Sequence, residues 1–329
     1  MSRYARAVAA VLVLTTLALL TNSGVAAQPR SAARLPRGVV ASIKLGVGVA
    51  PLSVISAYGS IWVSSHRATD LYRISPKTNR VIATIDVGQV SCGPIAAGLG
   101  QIWVTPCADT LTLVRVAAKT NRVVGRIHPS GIQVAFGARS AWLATTILGH
   151  GSIDRIAGSG KVQARIPVGS GPAAVAFGDG YLWNVNGDDG TLDRIDPKTN
   201  KVVARVRFVP PNSYGYLFFF EGRLWFSSGL ANAPATWLAS YDPKTRKTRT
   251  LRVRGKQLSQ FSDQLATKGL GSLWIRTSNG TVSRIDPHHG RVLGKFPADA
   301  DGGGGFLAIA HHALWVANFA SDTIWRDRI

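Results

Sequence analysis

The chain has 329 residues, 46% of them hydrophobic, and its 38 Lys and Arg against 17 Asp and Glu give a formal net charge of +21. This length allows two domains, and the basic excess favours polyanionic neighbours such as cell-wall polymers, anionic lipid surfaces or nucleic acid. A basic proteome or simple solubility explains the same charge. The export signal described next excludes nucleic acid from that set.

The first 27 residues have the three parts of a secretory signal peptide. Arg3 and Arg6 form a charged start, Ala7–Leu20 is an apolar run, and Val25–Ala27 is a small-residue cleavage site. The run has 14 residues, whereas a bilayer-spanning helix needs roughly 20, so a retained anchor is the less favoured alternative. We predict cleavage after Ala27 and a secreted or cell-envelope location.

Residues 28–38 are polar, basic and Pro-containing, which predicts a short disordered lead. Beyond them a repeat continues to the end of the chain. We therefore predict that residues 39–329 form one domain rather than two.

Seven Trp-centred strands set the period of this repeat. The tryptophans follow one another at steps of 41, 39, 41, 42, 49 and 41 residues: Trp62, Trp103, Trp142, Trp183, Trp225, Trp274 and Trp315. A period near 40 residues with several short strands is typical of a β-propeller blade. The sequence predicts an all-β, seven-bladed propeller with four antiparallel strands in each blade.

Turn residues recur at fixed places in the repeat. A glycine, which adopts positive φ without a Cβ clash, precedes the Trp by three residues in five blades: Gly59, Gly100, Gly180, Gly222 and Gly271. Arg139 and His312 take this place in the other two blades, so we expect looser turns there. A second turn, as in Ser75–Asn79 and Asp196–Asn200, combines a capping side chain, a Pro and a left-handed Asn.

Strand alternation places each Trp in the space between neighbouring sheets, where it contributes to packing rather than to a binding surface. An arginine also recurs at one repeat position, and recurrence favours an architectural role: Arg73, Arg115, Arg155, Arg194, Arg284 and Arg326.

The chain ends predict how the ring closes. After Trp315 there is room for only one more strand, so the seventh blade lacks its outer strand. Residues 39–45 match the outer-strand pattern of residues 81–87 yet precede the first blade. We expect this N-terminal strand to complete the last blade and leave no unpaired edge at the join.

The segments Ile61–Ser64, Arg73–Gly88 and Val168–Pro172 resemble the YVTN-type β-propeller repeat. The resemblance covers essentially the whole predicted domain, and members of that group are often exported bacterial proteins of undefined activity. The repeat style is also similar to the streptogramin B (virginiamycin B) lyase family, which is seven-bladed and Mg-dependent.

The lyase resemblance implies an imidazole in a Pro-His-Gly-like loop leading into an inner strand. Here the comparable positions read Pro51–Ser53, Pro94–Ala96 and Pro172–Ala174. Without those imidazoles the sequence does not support a general base and Mg site of that kind.

Cys92 and Cys107 flank the hairpin turn at residues 98–101 symmetrically. Opposed residues of an antiparallel hairpin come within disulfide range, and export supplies an oxidising compartment. We predict a disulfide; two free thiols and a pair of metal ligands are the alternatives.

Candidate site residues lie on the loops that lead into the inner strands and on those that join the second strand to the third, because both sets meet around the central channel. The candidates for ligand binding are His66, His150, Asp188, Tyr214, Tyr216, Gln260, Asp263 and Asp301.

The segment Asn186–Gly190 offers hard oxygen ligands for Mg²⁺ or Ca²⁺ from Asn186, Asp188 and Asp189, although the same residues are typical of an ordinary turn. No cofactor is predicted beyond such an ion.

A basic stretch on one outer turn and strand is a candidate contact for an anionic envelope polymer or membrane surface: Arg246, Lys247, Arg249, Arg252, Arg254 and Lys256. The alternative is a charged edge that prevents edge-to-edge aggregation.

The function we predict is that of an exported, monomeric binding or scaffold module whose small ligand is unknown and whose site lies on the channel rim. The alternative is a lyase or metal-dependent hydrolase that uses a rim-bound divalent ion. No Gly-x-Ser-x-Gly, His-Glu-x-x-His or Cys-x-x-Cys motif supports catalysis.

Overall fold

The computed structural model describes residues 35–107, 112–128, 131, 133–147, 150–228, 236–253, 266–277, 280–299 and 304–329. Within these ranges, 28 strands form seven four-stranded antiparallel sheets, which confirms the predicted seven-bladed all-β propeller. No helix in this part of the chain has the length and hydropathy needed to span a membrane.

In blades 1 to 6 the strand nearest the channel comes first in sequence, and the following strands lie successively further outward; in blade 7 the first strand of the chain is outermost. The first strand is β1 (Val39–Lys44), and blades 1 to 3 consist of β2 (Pro51–Ala57), β3 (Ser60–Ser65), β4 (Asp70–Ser75) and β5 (Arg80–Asp86); β6 (Ile95–Gly98), β7 (Gln101–Val104), β8 (Leu113–Ala117) and β9 (Arg122–Ile127); and β10 (Val134–Gly137), β11 (Ser140–Ile147), β12 (His150–Ile156) and β13 (Val162–Pro167). Blades 4 and 5 consist of β14 (Pro172–Gly178), β15 (Tyr181–Asn186), β16 (Thr191–Asp196) and β17 (Lys201–Arg207); and β18 (Gly215–Phe220), β19 (Arg223–Ser228), β20 (Thr236–Asp242) and β21 (Lys247–Val253). Blade 6 consists of β22 (Ala266–Gly269), β23 (Ser272–Thr277), β24 (Thr281–Ile285) and β25 (Val292–Pro297), and blade 7 contains β26 (Leu307–Ala310), β27 (Ala313–Asn318) and β28 (Thr323–Arg328).

The ring closes through its two chain ends, as predicted. The seventh sheet has the order β1-β28-β27-β26, and β1 pairs antiparallel with β28 through Ile43 opposite Ile324. The N-terminal strand therefore supplies the outer edge of the last blade, and the join between first and last blades carries no open sheet edge.

The inner hairpin turns are alike in all seven blades, and the expected looser turns at Arg139 and His312 are wrong. Both central residues of each turn have positive φ, including Ala138 (48°) with Arg139 (56°) and His311 (52°) with His312 (54°). This conformation matches the right-handed twist of the flanking strands, so the sheet imposes it even where a Cβ makes it unfavourable.

The outer turns have the predicted chemistry. In blade 4, the Lys198 amide donates to Asp196 Oδ1 (2.8 Å), and Asn200 closes the turn with φ 55° and a bond from its amide to the Asp196 carbonyl (2.8 Å). Blade 1 repeats the pattern with Ser75 and Asn79. These turns place their carbonyl and Asn side-chain oxygens at fixed points on the face opposite the rim.

Each repeat Trp packs between its own blade and the next, as predicted. All seven are at most 2% exposed. Trp62 of blade 1 packs with Ile102 of blade 2, and Trp315 of blade 7 packs with Ile61 of blade 1. Burial of an aromatic ring of roughly 150–250 Å² at each join contributes apolar stabilisation between the blades.

An arginine lies over every one of these rings. The distances from guanidinium carbon to ring centroid run from 4.9 to 5.8 Å for the pairs Arg73 and Trp62, Arg115 and Trp103, Arg155 and Trp142, Arg194 and Trp183, Arg249 and Trp225, Arg284 and Trp274, and Arg326 and Trp315. Cation–π contact of this kind is worth about 0.5–2 kcal/mol. The architectural role predicted for the recurrent arginines is thereby confirmed.

Five of these guanidiniums, among the described residues, also donate to a backbone carbonyl in the outer turn of the next blade. We call this contact an arginine bridge. The bridges join Arg73 to Ala118, Arg115 to Gly158, Arg155 to Pro197, Arg249 to Pro287, and Arg326 to Pro76. In blade 5 the bridging residue comes from the outer strand, because Arg249 is paired with Ser240, which occupies the usual arginine position.

Within the described residues, the bridge is missing from blades 4 and 6. Arg194 of blade 4 lies instead over the Tyr181 ring of its own blade, 3.5 Å from the ring centroid. Arg284 of blade 6 faces no such turn, because β1 rather than a hairpin supplies the outer strand of blade 7. It donates instead to Leu270 and Ser272 of its own blade.

Removing one bridge should destabilise the ring. Arg155 donates to the Pro197 carbonyl (2.8 Å), to Asn200 Oδ1 (3.0 Å) and to Ser140 Oγ (2.9 Å). We expect Arg155→Ala to lower the free energy of unfolding by about 2–4 kcal/mol, since stacking and charged hydrogen bonds are lost together. Urea denaturation measures this change.

The matched control is Arg122→Ala, because Arg122 is exposed on an outer strand. It should change stability by no more than about 0.5 kcal/mol. Equal effects of the two substitutions would contradict a structural role for the bridge.

One buried carboxyl group interrupts the core at the closing blade. Asp327 directly follows Arg326, where Ile74 follows Arg73, and it is 0% exposed. Neither of its carboxylate oxygens has a hydrogen-bond partner among the described residues. Burial raises the pKa of Asp327 to about 7.

This raised pKa predicts that stability falls as the pH increases. An unfolded Asp ionises near pH 3.9, whereas folded Asp327 stays protonated to about pH 7. The stability is therefore fully present below about pH 4 and is lost on the way to pH 7, by a few kcal/mol. Asp327→Asn should be more stable than wild type at pH 8 and equal to it near pH 4, measured by urea denaturation.

Asp179→Asn, on an exposed hairpin turn, controls for the general effect of removing a carboxylate. A constant difference between wild type and Asp327→Asn from pH 4 to pH 8 would show that the buried carboxyl group does not titrate as described.

Candidate functional site on the propeller rim

The loops before the inner strands and those between second and third strands share one face, which we call the rim. Antiparallel pairing brings them together, and hydrogen bonds join them. In blade 1 the His66 amide donates to the Ala50 carbonyl (3.0 Å). Asp322 of blade 7 accepts from the amides of Gly48 (2.7 Å) and Ala50 (2.8 Å), so the rim is continuous across the ring closure.

A buried row of polar side chains crosses blade 4 beneath this face. Arg205 on the outer strand pairs with Asp193 (Nε to Oδ1, 2.6 Å), and Asn186 Nδ2 donates to Asp193 Oδ2 (2.9 Å). Asn184 Nδ2 then donates to Asn186 Oδ1 (2.6 Å). Asn184, Asn186 and Asp193 are fully buried, so the row holds the second and third strands at a fixed height below the rim.

Four residues above the row form what we call the acidic rim cluster: Ser170, Asp188, Asp189 and Tyr214. Asp188 accepts from the Ser170 hydroxyl (2.8 Å) and from the Tyr214 hydroxyl, and Asp189 Oδ2 accepts from the Ser170 amide (2.7 Å). Asp189 is exposed, while Asp188 and Tyr214 are half-buried. The cluster thus joins the rim loops of blades 4 and 5.

A glycine permits this close packing. Gly171 has φ 62°, and a Cβ at this position would lie 2.5 Å from Asp188 Oδ1. Any larger residue would displace the carboxylate from the loop.

Of the predicted metal ligands, Asn186 is committed to the buried row, whereas Asp188 and Asp189 belong to the cluster above it. Within the described residues, no third His, Cys, Asp or Glu joins these two carboxylates in a ligand group. The hydrogen bonds account for the positions of all three side chains, and binding of Mg²⁺ or Ca²⁺ stays a prediction.

A second group lies on the rim between blades 1 and 2, and we call it the His66 corner: His66, Arg67, Cys92, Cys107 and Phe319. The Cys92–Cys107 disulfide is present, with a Cα–Cα distance of 4.6 Å, as predicted. His66 Nδ1 lies 3.5 Å from Cys92 Sγ, and the imidazole packs against the Phe319 ring at 5.3 Å. Burial lowers the pKa of His66, which favours the neutral imidazole.

Of the other predicted ligand-binding residues, Tyr216 alone has a described side chain. Tyr216 is 2% exposed and packs edge-on against Phe306, so its ring belongs to the core. His150 begins β12, and its side chain lies outside the described residues, as do Gln260, Asp263 and Asp301.

The basic residues on the outer strand of blade 5 have different roles. Arg249 is half-buried and forms an arginine bridge, whereas Arg246, Lys247 and Arg252 are exposed. Arg254 and Lys256 lie outside the described residues.

The sequence did not indicate Ser170 or Phe319 as site residues, and it did not predict that His66 lies beside the disulfide. Ser170 lies in the loop before β14, and Phe319 directly follows β27. Both positions lie on rim loops, which the repeat pattern of the sequence identifies. The repeat pattern does not show which neighbouring loops are in contact, as in the bond from the Ser91 amide to the Ser65 carbonyl (2.9 Å).

Comparison with known proteins identifies the fold and no family. No family model matches the chain, and no curated protein is significantly similar to it in sequence. Similar solved structures include hydrazine synthase from Kuenenia stuttgartiensis (TM-score 0.69, 12% identity, 86% of this chain and 97% of that one) and BamB from Moraxella catarrhalis (0.56, 14%, 87% and 85%). Virginiamycin B lyase from Staphylococcus aureus is also similar (0.66, 16%, 88% and 98%).

At these identities the similarity establishes a shared propeller architecture. It supports the predicted β-propeller and the resemblance to the streptogramin lyase fold, whereas membership of the YVTN-type group stays a prediction. It transfers no activity to this chain.

The disulfide should contribute measurably to stability. Replacing both cysteines by Ser, in Cys92→Ser/Cys107→Ser, should lower the free energy of unfolding by about 3 kcal/mol, because a cross-link of this span restricts the unfolded chain. Urea denaturation of the variant and of reduced wild type should agree. If both match the oxidised protein, the cross-link contributes nothing.

Proposed function

We propose that the protein is an exported YVTN-type propeller that binds a cell-envelope glycan on the rim of blades 4 and 5. The observation that carries this proposal is the combination of carboxylate acceptors in the acidic rim cluster with exposed cations at the rim end of the neighbouring outer strands. Disulfides persist in oxidising compartments, and the Cys92–Cys107 bond supports the predicted export.

The cluster offers acceptors more than donors. The hydroxyl protons of Ser170 and Tyr214 are directed to the two carboxylate oxygens of Asp188, and the exposed Asp189 accepts from the Ser170 amide at Oδ2 alone. Sugar hydroxyl groups donate to such carboxylates, and the half-buried Tyr214 ring provides an apolar face beside them. A neutral hydroxyl-rich segment also avoids repulsion by the Asp188 and Asp189 carboxylates.

The cations lie at the matching end of the strands. Arg207 is paired with Thr191, the first residue after the rim loop of blade 4, and Arg252 is paired with Trp237, near the start of β20. Both arginines are exposed. They would lie against anionic substituents of the glycan, and Arg252 belongs to the basic strand that was predicted to contact a polyanion.

Binding to two defined polymers tests this proposal. We expect wild type to bind polygalacturonate more tightly than neutral dextran and to lose the difference at high salt. Asp188→Asn/Asp189→Asn should weaken binding to both polymers about tenfold, equivalent to about 1.4 kcal/mol. Arg207→Gln/Arg252→Gln should weaken binding to polygalacturonate alone. Isothermal titration calorimetry gives the dissociation constants.

Matched controls come from the opposite ends of the same elements. Asp179→Asn changes an exposed turn of blade 4, and Lys201→Gln/Lys247→Gln removes exposed cations from the far ends of β17 and β21. Rim variants that bind both polymers like wild type, or controls that weaken binding equally, would overturn the proposal.

A further inference from the structure

We propose that the His66 corner is a redox-controlled metal site, which exists as a disulfide when oxidised and binds a zinc ion through Cys92, Cys107 and His66 when reduced. The inference concerns blades 1 and 2 and is independent of glycan binding on blades 4 and 5.

The ligand atoms already have nearly the spacing that zinc requires. One atom from each of the three residues lies within 4.8 Å of the others. Zn–S bonds of about 2.3 Å and Zn–N bonds of about 2.0–2.1 Å at tetrahedral angles place neighbouring N and S ligands about 3.5 Å apart. His66 Nδ1 lies 3.5 Å from Cys92 Sγ.

Only the sulfur–sulfur separation has to change. Two thiolates on one tetrahedral zinc are about 3.8 Å apart. The two cysteine Cα atoms are 4.6 Å apart, so side-chain rotation can separate the sulfurs while the backbone stays in place. Coordination through His66 Nδ1 replaces its 3.3 Å contact with the Ser91 carbonyl.

The surroundings hold the imidazole and leave access for an ion. The His66 amide is bonded to the Ala50 carbonyl, and the ring is packed against Phe319. Cys92 is exposed, so both a reductant and a hydrated ion can reach it. Three protein ligands on an accessible rim leave the fourth coordination position to water, as in open zinc sites.

The reductant that the site requires is a dithiol. One thiolate of the dithiol attacks the exposed Cys92 Sγ, the Cys92–Cys107 bond breaks, and Cys107 leaves as a thiolate. The second thiol of the reductant then displaces Cys92 as a thiolate. The protein disulfide gains two electrons, the dithiol becomes a disulfide, and the two protons pass to water. Zinc then binds the two thiolates and the neutral imidazole.

Cobalt substitution of the exported chain tests this inference. After reduction and anaerobic removal of the reductant, one equivalent of Co²⁺ should give a near-ultraviolet thiolate-to-cobalt band and visible bands typical of tetrahedral coordination. One equivalent of Zn²⁺ should abolish both. The oxidised protein and Cys92→Ser/Cys107→Ser should show neither.

His66 distinguishes a built site from two adventitious thiols. His66→Gln should lower the zinc affinity of the reduced protein at least about tenfold, whereas the control His312→Gln, on an exposed turn of the opposite face, should leave the affinity unchanged. Equal affinities of wild type and His66→Gln, or absence of the thiolate band, would overturn the inference.

Circular dichroism of the reduced protein with and without zinc covers the case in which reduction unfolds the chain. Recovery of the folded spectrum on zinc addition in wild type but not in His66→Gln supports the site. Failure of zinc to restore the fold overturns it.

Discussion

The contact on which the ring depends is the guanidinium that lies between a buried Trp face and the outer turn of the next blade. Arg155 illustrates it, since one side chain covers Trp142 and donates to both Pro197 and Asn200. Apolar packing alone holds neighbouring sheets together without fixing their rotation. Directional hydrogen bonds from the planar guanidinium to a rigid turn fix the rotation of one sheet relative to the next. They thereby set the relative positions of the rim loops on the opposite face.

Among the described residues, the blade pair that bears the acidic rim cluster is one of two without this contact. Arg194 stacks on Tyr181 of its own blade instead. Blades 4 and 5 are joined at the rim itself, where Tyr214 of one loop donates to Asp188 of the other. The candidate binding site therefore also links the two blades, in addition to the packing of Trp183 of blade 4 against Tyr241 of blade 5, and ligand binding there would stabilise the ring.

The sequence alone was sufficient for the fold because each blade repeats the same local signals. Trp62, the Gly59 turn and the Ser75–Asn79 turn each have a mechanism that operates within one hairpin, and even ring closure followed from counting strands. The candidate sites were less predictable, because they are made between blades. No local pattern indicates that His66 meets Cys92, or that Asp327, which looks like any surface carboxylate, occupies a position that is apolar elsewhere. The expectation of looser turns at Arg139 and His312 was wrong for a different reason, because the twist of the two flanking strands outweighs the backbone preference of these residues.

The pairing of β1 with β28 also imposes an order of events on biogenesis. A chain synthesised from its N-terminus releases the closing strand first and its partner last, so β1 must wait with an unpaired edge while seven blades are made. The last contact to form has nearly the greatest sequence separation in the protein, and long-range pairing of this kind is slow. Until the final residues emerge, the assembly is an open row of sheets, and the time that synthesis takes sets its exposure to proteases and to strand exchange with other chains.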